Sequence, residues 1–168
     1  MPKTRATSPT RRTPSSSSRP GHFGTSTLRG RFDRKQGSVT VDRVAKSGKV
    51  EFTIDTTSVS TGVAPLDTHL KSKDFFNAVE ASTARFTSDK VSFDGNKVTS
   101  VAGTLTMLGK TMPVTLTAGS FNCYEHPMLK REVCGGDFEP TIARSQWGMS
   151  YGLPDNIRLL VQIEAIKQ

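Results

Sequence analysis

The chain has 168 residues, 34% of them hydrophobic, and a formal net charge of +8. That length supports one domain with a sizeable core, and no apolar run approaches the roughly 18 residues needed for a membrane-spanning helix. The first 21 residues carry five basic side chains and no acid, so the remainder is only +3 and gives little support to a nucleic-acid reading based on overall basicity.

Residues 1–21 are rich in Ser, Thr, Pro and Arg. They offer nothing to bury and are predicted to be a disordered basic tail. They also lack the apolar core of a signal peptide. The folded domain is expected over residues 22–168. From Gly24 onward the pattern is β. Ser38–Asp42 alternates polar and apolar, and Lys49–Asp55 does so more cleanly, with Val41, Phe52 and Ile54 on apolar faces. Ser47-Gly48 is read as the turn between them.

The spacing then becomes helical. Leu66 and Leu70 lie four apart on one face, Pro65 suits a first turn, and Asp67 meets the positive end of the helix dipole. Asp74 can cap a second short turn that presents Phe75 and Phe76. This segment is expected to close one end of a barrel. Beyond it, Ala84–Thr87 and Lys90–Phe93 read as short strands. Asp94-Gly95-Asn96 is a hairpin signal. Lys97–Thr106 places Val101, Gly103 and Leu105 on one face, and Gly103 marks a bend or a close backbone approach. Leu108-Gly109-Lys110 turns the chain into Pro113–Thr117, which carries Leu116. Residues 120–137 read as a long irregular insertion holding both cysteines. Glu139–Ser145 is predicted as a short strand and Ile157–Ile166 as the last, with Val161 and Ile163 on its apolar face. Trp147 and Met149 share parity in an extended chain. Many short alternating strands with one brief helix imply an all-β, closed antiparallel barrel or a sandwich.

Reactive constellations are scarce. The three histidines, His22, His69 and His126, fall in separate segments, with no metal-ligand spacing. No phosphate loop or nucleophile–base signature appears. Asp67 and His69 are two apart and point away from each other on a helix, so a hydrogen-bonded His69 at a barrel rim is expected. Arg144 is either a rim group for an anionic head or a partly buried arginine paired with Asp67 or Asp74. Cys123 and Cys134 enclose ten residues. A bridge between them would contribute about 3 kcal/mol and imply an oxidising compartment; the alternative is two reduced, buried thiols.

Asp55-x-x-Ser58-Val59-x-Thr61-Gly62, followed by Asp67-x-His69-Leu70-Lys71-Ser72-x-Asp74-Phe75-Phe76, resembles the signature of the YceI-like family. Arg85-Phe86-Thr87-Ser88, Gly103-Thr104-Leu105-Thr106, Gly109-Lys110, Pro113-Val114 and Arg144-Ser145-x-x-Gly148-Met149 add to the likeness, which runs from about His22 to the end. The Cys123–Cys134 loop is similar to the periplasmic branch. The resemblance implies a lipocalin-like antiparallel barrel that holds an isoprenoid lipid, either a polyprenyl chain or an isoprenoid quinone, in an apolar lumen. It implies no enzymatic activity, no cofactor, a periplasmic location and a membrane-associated donor or acceptor. A homodimer is compatible with it, and no nucleic acid is expected. Lumen candidates are Val41, Phe52, Ile54, Phe75, Phe76, Leu105, Leu116, Trp147, Val161 and Ile163. The alternative is an interaction module whose barrel is filled by its own side chains, with a basic tail touching nucleic acid or membrane.

Two departures stand out. Ala81-Ser82 replaces a usual aromatic followed by Pro. The first family strand, approximately Asp-Pro-x-His-Thr-x-Val-x-Phe-x-Val, is missing before His22. The codons GAC CCG ACG CAC ACC TTC GTC encode Asp-Pro-Thr-His-Thr-Phe-Val. Read one base later, they give Thr-Arg-Arg-Thr-Pro-Ser-Ser, the sequence of residues 10–16. Out-of-frame translation of the first strand and whatever preceded it is therefore the expected origin of residues 1–21. A barrel with an open slot, or a poorly stable product, is expected, since Pro14 and Pro20 oppose ladder pairing.

Overall fold

The computed structural model describes residues 4–6, 21–22, 26–152 and 155–167. In chain order the elements are β1 (Thr4–Ala6), β2 (Gly21–His22), β3 (Ser26–Thr27), β4 (Arg31–Phe32), β5 (Lys35–Asp42), β6 (Ser47–Asp55) and β7 (Val59–Ser60). Then come helix α1 (Ala64–Leu70), β8 (Thr83–Asp94), β9 (Lys97–Met107), β10 (Lys110–His126), β11 (Arg131–Phe138), β12 (Thr141–Ala143), β13 (Asn156–Arg158) and β14 (Val161–Ile166). An antiparallel barrel closes in the order β1-β14-β11-β10-β9-β8-β6-β5. Alternating side chains with tight hairpins force this up-and-down path, because each strand can bury only one face.

The barrel has two ends. At the hairpin end lie the turns at 43–46, 95–96 and 127–130, and β14 finishes there. At the helix end lie α1, the Leu108-Gly109 turn and the β12–β13 ribbon. Pro65 sits in the first turn of α1, as its missing N–H allows. Asp67 does not cap its own helix. Its carboxylate accepts from the backbone N–H of Thr61 at 2.7 Å and from the Thr61 hydroxyl at 2.6 Å. That ties the helix to the chain leaving β7.

Inward parity follows the sequence pattern across the sheet. Gly37 faces Phe52, Phe52 faces Phe86, and Phe86 faces Leu105. The Phe52 and Phe86 rings stack with centroids 5.0 Å apart. Glycine supplies the room for them: a Cβ on Gly37 would lie 2.7 Å from the Phe52 Cβ, and one on Gly103 would lie 2.5 Å from the Phe86 ring. Of the bend or close approach expected at Gly103, the structure has the close approach.

The structure corrects the sequence reading in several places. Residues 120–137 are not an irregular insertion. β10 runs on to His126 and pairs with β11 as a long hairpin. Gly135, Gly136 and several polar residues break the apolar alternation there, so the strand is hidden in the sequence. Ser47-Gly48 begins β6, and the turn lies earlier, where Asp42 accepts from the backbone N–H groups of Val44 and Ala45. The two short strands after α1 are one, β8, with a register shift between Thr87 and Lys90. Glu139–Ser145 shrinks to β12, followed by a 3-10 turn over Arg144–Trp147, so extended-chain parity does not apply to Trp147. The predicted last strand divides into β13, paired with β12, and β14, paired with β11.

The open slot is also corrected. β1 occupies it, pairing Thr4, Arg5 and Ala6 with Val39, Ser38 and Gly37 of β5, and Arg5 with Ile166 of β14. Pro14 and Pro20 lie outside the described residues. The predicted disordered tail otherwise falls mostly outside the described residues, apart from β1 and Gly21 of β2.

Candidate functional site

Side-chain size divides the lumen. Toward the helix end the interior is occupied by large residues: Phe86, Leu105, Trp147 and Met149 are all buried in the core cluster. The Trp147 indole N–H donates to the Leu105 carbonyl at 3.3 Å. Toward the hairpin end the inward positions are mostly valines. A cavity of about 340 Å³ opens there, lined by Val39, Val41, Val50, Val91, Val98, Val101, Phe121, Phe138, Ile163 and Ala165. β-Branched side chains suit the pleated surface but are too short to meet across the barrel.

The mouth of this cavity is charged. Inward parity continues from Val39 and Val41 to Arg43, and from Cys134 to Glu132. The Arg43 guanidinium meets the Glu132 carboxylate at 2.6 Å and lies 3.6 Å from the Cys123 sulfur. Lys167 Nζ lies 3.8 Å from the other Glu132 oxygen. Both partners of the Arg43–Glu132 pair are about one-third exposed. Cys123 and Cys134 face each other across β10 and β11 and form a disulfide. Glu132 and the two sulfurs converge within 4.8 Å. The sulfurs are bonded to each other, and a disulfide supplies no thiolate for a metal.

The helix end carries a polar and aromatic cluster. His69 Nε2 lies 3.0 Å from Asp74 Oδ2, and its ring packs edge-on against Phe75 and Tyr151. Arg144 is only 2% exposed, with its guanidinium 5.7 Å over the Phe75 ring. It pairs with neither Asp67 nor Asp74; the carboxylate that acts on it is Asp155. Burial pushes the Arg144 pKa below its ordinary value, and Asp155 opposes that shift. The Asp155 carboxyl is held below its usual range by the backbone N–H and then the hydroxyl of Ser145. Arg144 is therefore an anchor beneath the aromatic cluster rather than a rim group. His69 is hydrogen-bonded and partly exposed at the helix end, far along the barrel from the open mouth.

Of the ten residues predicted to line the lumen, Val41 and Ile163 line the cavity. Phe52, Ile54, Leu105, Leu116, Trp147 and Val161 belong to or pack against the filled core. Phe76 packs on Phe32 and that core, and Phe75 sits in the His69–Arg144 cluster. The valines of β5, β6, β8 and β9 were legible only as strand parity. Nothing in one strand tells which end of a closed barrel it lines.

Residues 11–165 match the family model described as YceI-like domain. A UPF0312 protein of Pseudomonas aeruginosa is 35% identical over 151 residues, covering 88% of this chain and 78% of that protein. A Campylobacter jejuni YCEI protein has a crystal structure similar to this one, with a TM-score of 0.74 at 26% identity, covering 92% of this chain and 94% of that one. A polyisoprenoid binding domain from Saccharophagus degradans shares the fold at a TM-score of 0.54 and 14% identity, covering 83% and 85% of the two chains.

Proposed function

The chain belongs to the YceI-like family, and on that premise we propose that it binds and carries an isoprenoid lipid without transforming it, and does so in the periplasm. The observation that supports the cargo is the apolar cavity at the hairpin end. An alkyl chain needs no chemistry from its carrier, only dry surface worth about 25 cal/mol per Å² buried. A protein of the same fold is named a polyisoprenoid binding domain. The disulfide favours an oxidising compartment.

The cavity also bounds the cargo. A volume of about 340 Å³ stands near the lower end of ligand pockets. It is sized for a segment of a prenyl chain rather than for a whole long one. A longer chain extends through the mouth or displaces the Phe52–Phe86 pair.

The alternative, a self-filled interaction module, draws on the solid helix end. Organic extraction of the purified protein followed by mass spectrometry separates the two. Recovery of a prenyl chain supports carriage. Empty extracts, together with a stripped protein that takes up no added geranylgeraniol, overturn it.

A further inference from the structure

We propose that the hairpin end of the barrel is a membrane-docking face that seats the cavity mouth on an anionic lipid bilayer. Two turns reach beyond the barrel there. The β5–β6 turn holds up Val44, which is 94% exposed, and the β10–β11 turn holds up Met128 at 87% and Leu129 at 47%. These are apolar side chains at the very tips of polar hairpins, where turn chemistry asks for nothing apolar. The mouth lies between them: Arg43 and Val44 line it from one hairpin, and Glu132 and Cys134 from the other.

Charge surrounds these tips with one dominant sign. Lys46, Lys97, Lys130, Arg131 and Lys167 are exposed at this end, against exposed Asp94 and Glu125. The other two acids there are already engaged. Glu132 is paired with Arg43, and Asp42 accepts from the backbone of its own turn. A groove lined by Lys130, Arg131, Glu132 and Lys167 adjoins the cavity and shares Glu132 and Lys167 with it. A lipid phosphate fits this cationic ledge.

A bilayer suits this surface better than a protein partner does. Protein interfaces want a contiguous, depleted-charge centre. Here the apolar groups stand apart on two tips, at each side of an opening, with cations around them. Inserted apolar tips with basic residues at the headgroup level are the interfacial pattern, and each basic side chain near an anionic surface adds attraction. The helix end offers a contrast. Val79 is 93% exposed there, Tyr151 55% and Val63 53%, but none of them borders the cavity mouth.

The lipid-carrying reading supplies the purpose of such docking, a route for cargo that avoids water, but vesicle binding needs no cargo. The test is flotation of the full chain with vesicles of phosphatidylcholine, with and without about 30% phosphatidylglycerol. Binding is expected only with the anionic lipid, and it should weaken as salt rises from about 0.1 to 0.5 M. The double variant V44D/M128D should lose about tenfold or more, while V79D stays within about twofold of the parent. All three positions are exposed, so melting should be unchanged in both variants. If V79D loses as much as the tip pair, or if the tip pair binds like the parent, the basic tail or diffuse charge drives the binding and the docking face is refuted. Solvent extraction reads the cargo separately, so either result can fail alone.

Discussion

The two ends of this barrel obey the same alternation and reach opposite outcomes. At the helix end, inward positions carry Phe86, Leu105, Trp147 and Met149, and the interior is solid. At the hairpin end, the same parity carries Val39, Val41, Val50 and Val101, and the interior is open. Parity decides which side chains point inward; their size decides whether anything else can enter. The polar groups differ as well. The helix end sequesters its buried arginine beneath an aromatic ring, whereas the hairpin end leaves Arg43, Glu132 and Lys167 at the water's edge.

Trp147→Ala attacks the solid end and should have the largest effect. Removing a buried indole typically costs about 3–5 kcal/mol, and the Leu105 carbonyl loses its donor. Equilibrium denaturation should show that loss while the valine-lined pocket stays in place in whatever folds. A change under about 1 kcal/mol would mean that the solid end does not hold the barrel together.

Val41→Trp attacks the open end. The indole enters a space that no protein atom occupies, so stability should move by less than about 1.5 kcal/mol. Extractable or added prenyl lipid should fall about tenfold or more. Unchanged lipid uptake would place the cargo elsewhere and erase the functional contrast between the ends.

The alternation of Lys49–Asp55 and of Val101–Leu105 was enough to read strands and their inward faces, because a two-residue period is a local property. Gly103 could be read as a bend or a close approach for the same reason, though not that the Phe86 ring was what approached. The β10–β11 hairpin was not legible. Its inward positions run through Phe121, Cys123, Glu132, Cys134 and Gly136, and neither charge nor glycine marks a buried face. Arg144–Trp147 looked extended because a 3-10 turn this short leaves no periodic trace. The cavity was the least legible feature. It depends on valines from separate strands meeting at one end, a fact of closure and register rather than of any segment.

The finest test of the contrast is acid. At the helix end, Asp55, Asp67 and Asp155 all have carboxyl groups held below their ordinary value of 3.8. For Asp67 the main cause is the Thr61 hydroxyl, with the Thr61 N–H adding to it and desolvation opposing. A carboxyl depressed in the folded state contributes stability that is complete above its ordinary pKa and is lost as pH falls through the lower, folded value. Stability should therefore hold on descending toward pH 3.8 and drop below it. Asp67→Asn keeps a hydrogen-bond acceptor for Thr61 but removes the titration, so its melting temperature should fall less steeply across that window than the parent's. Exchange of backbone amides should report the chain around Thr61 and Ser145, whose N–H groups these carboxylates hold, loosening as pH falls through that window. Unchanged exchange there down to complete protonation of these carboxyls would show that the aspartates at the helix end are not the acid-sensitive part of the barrel.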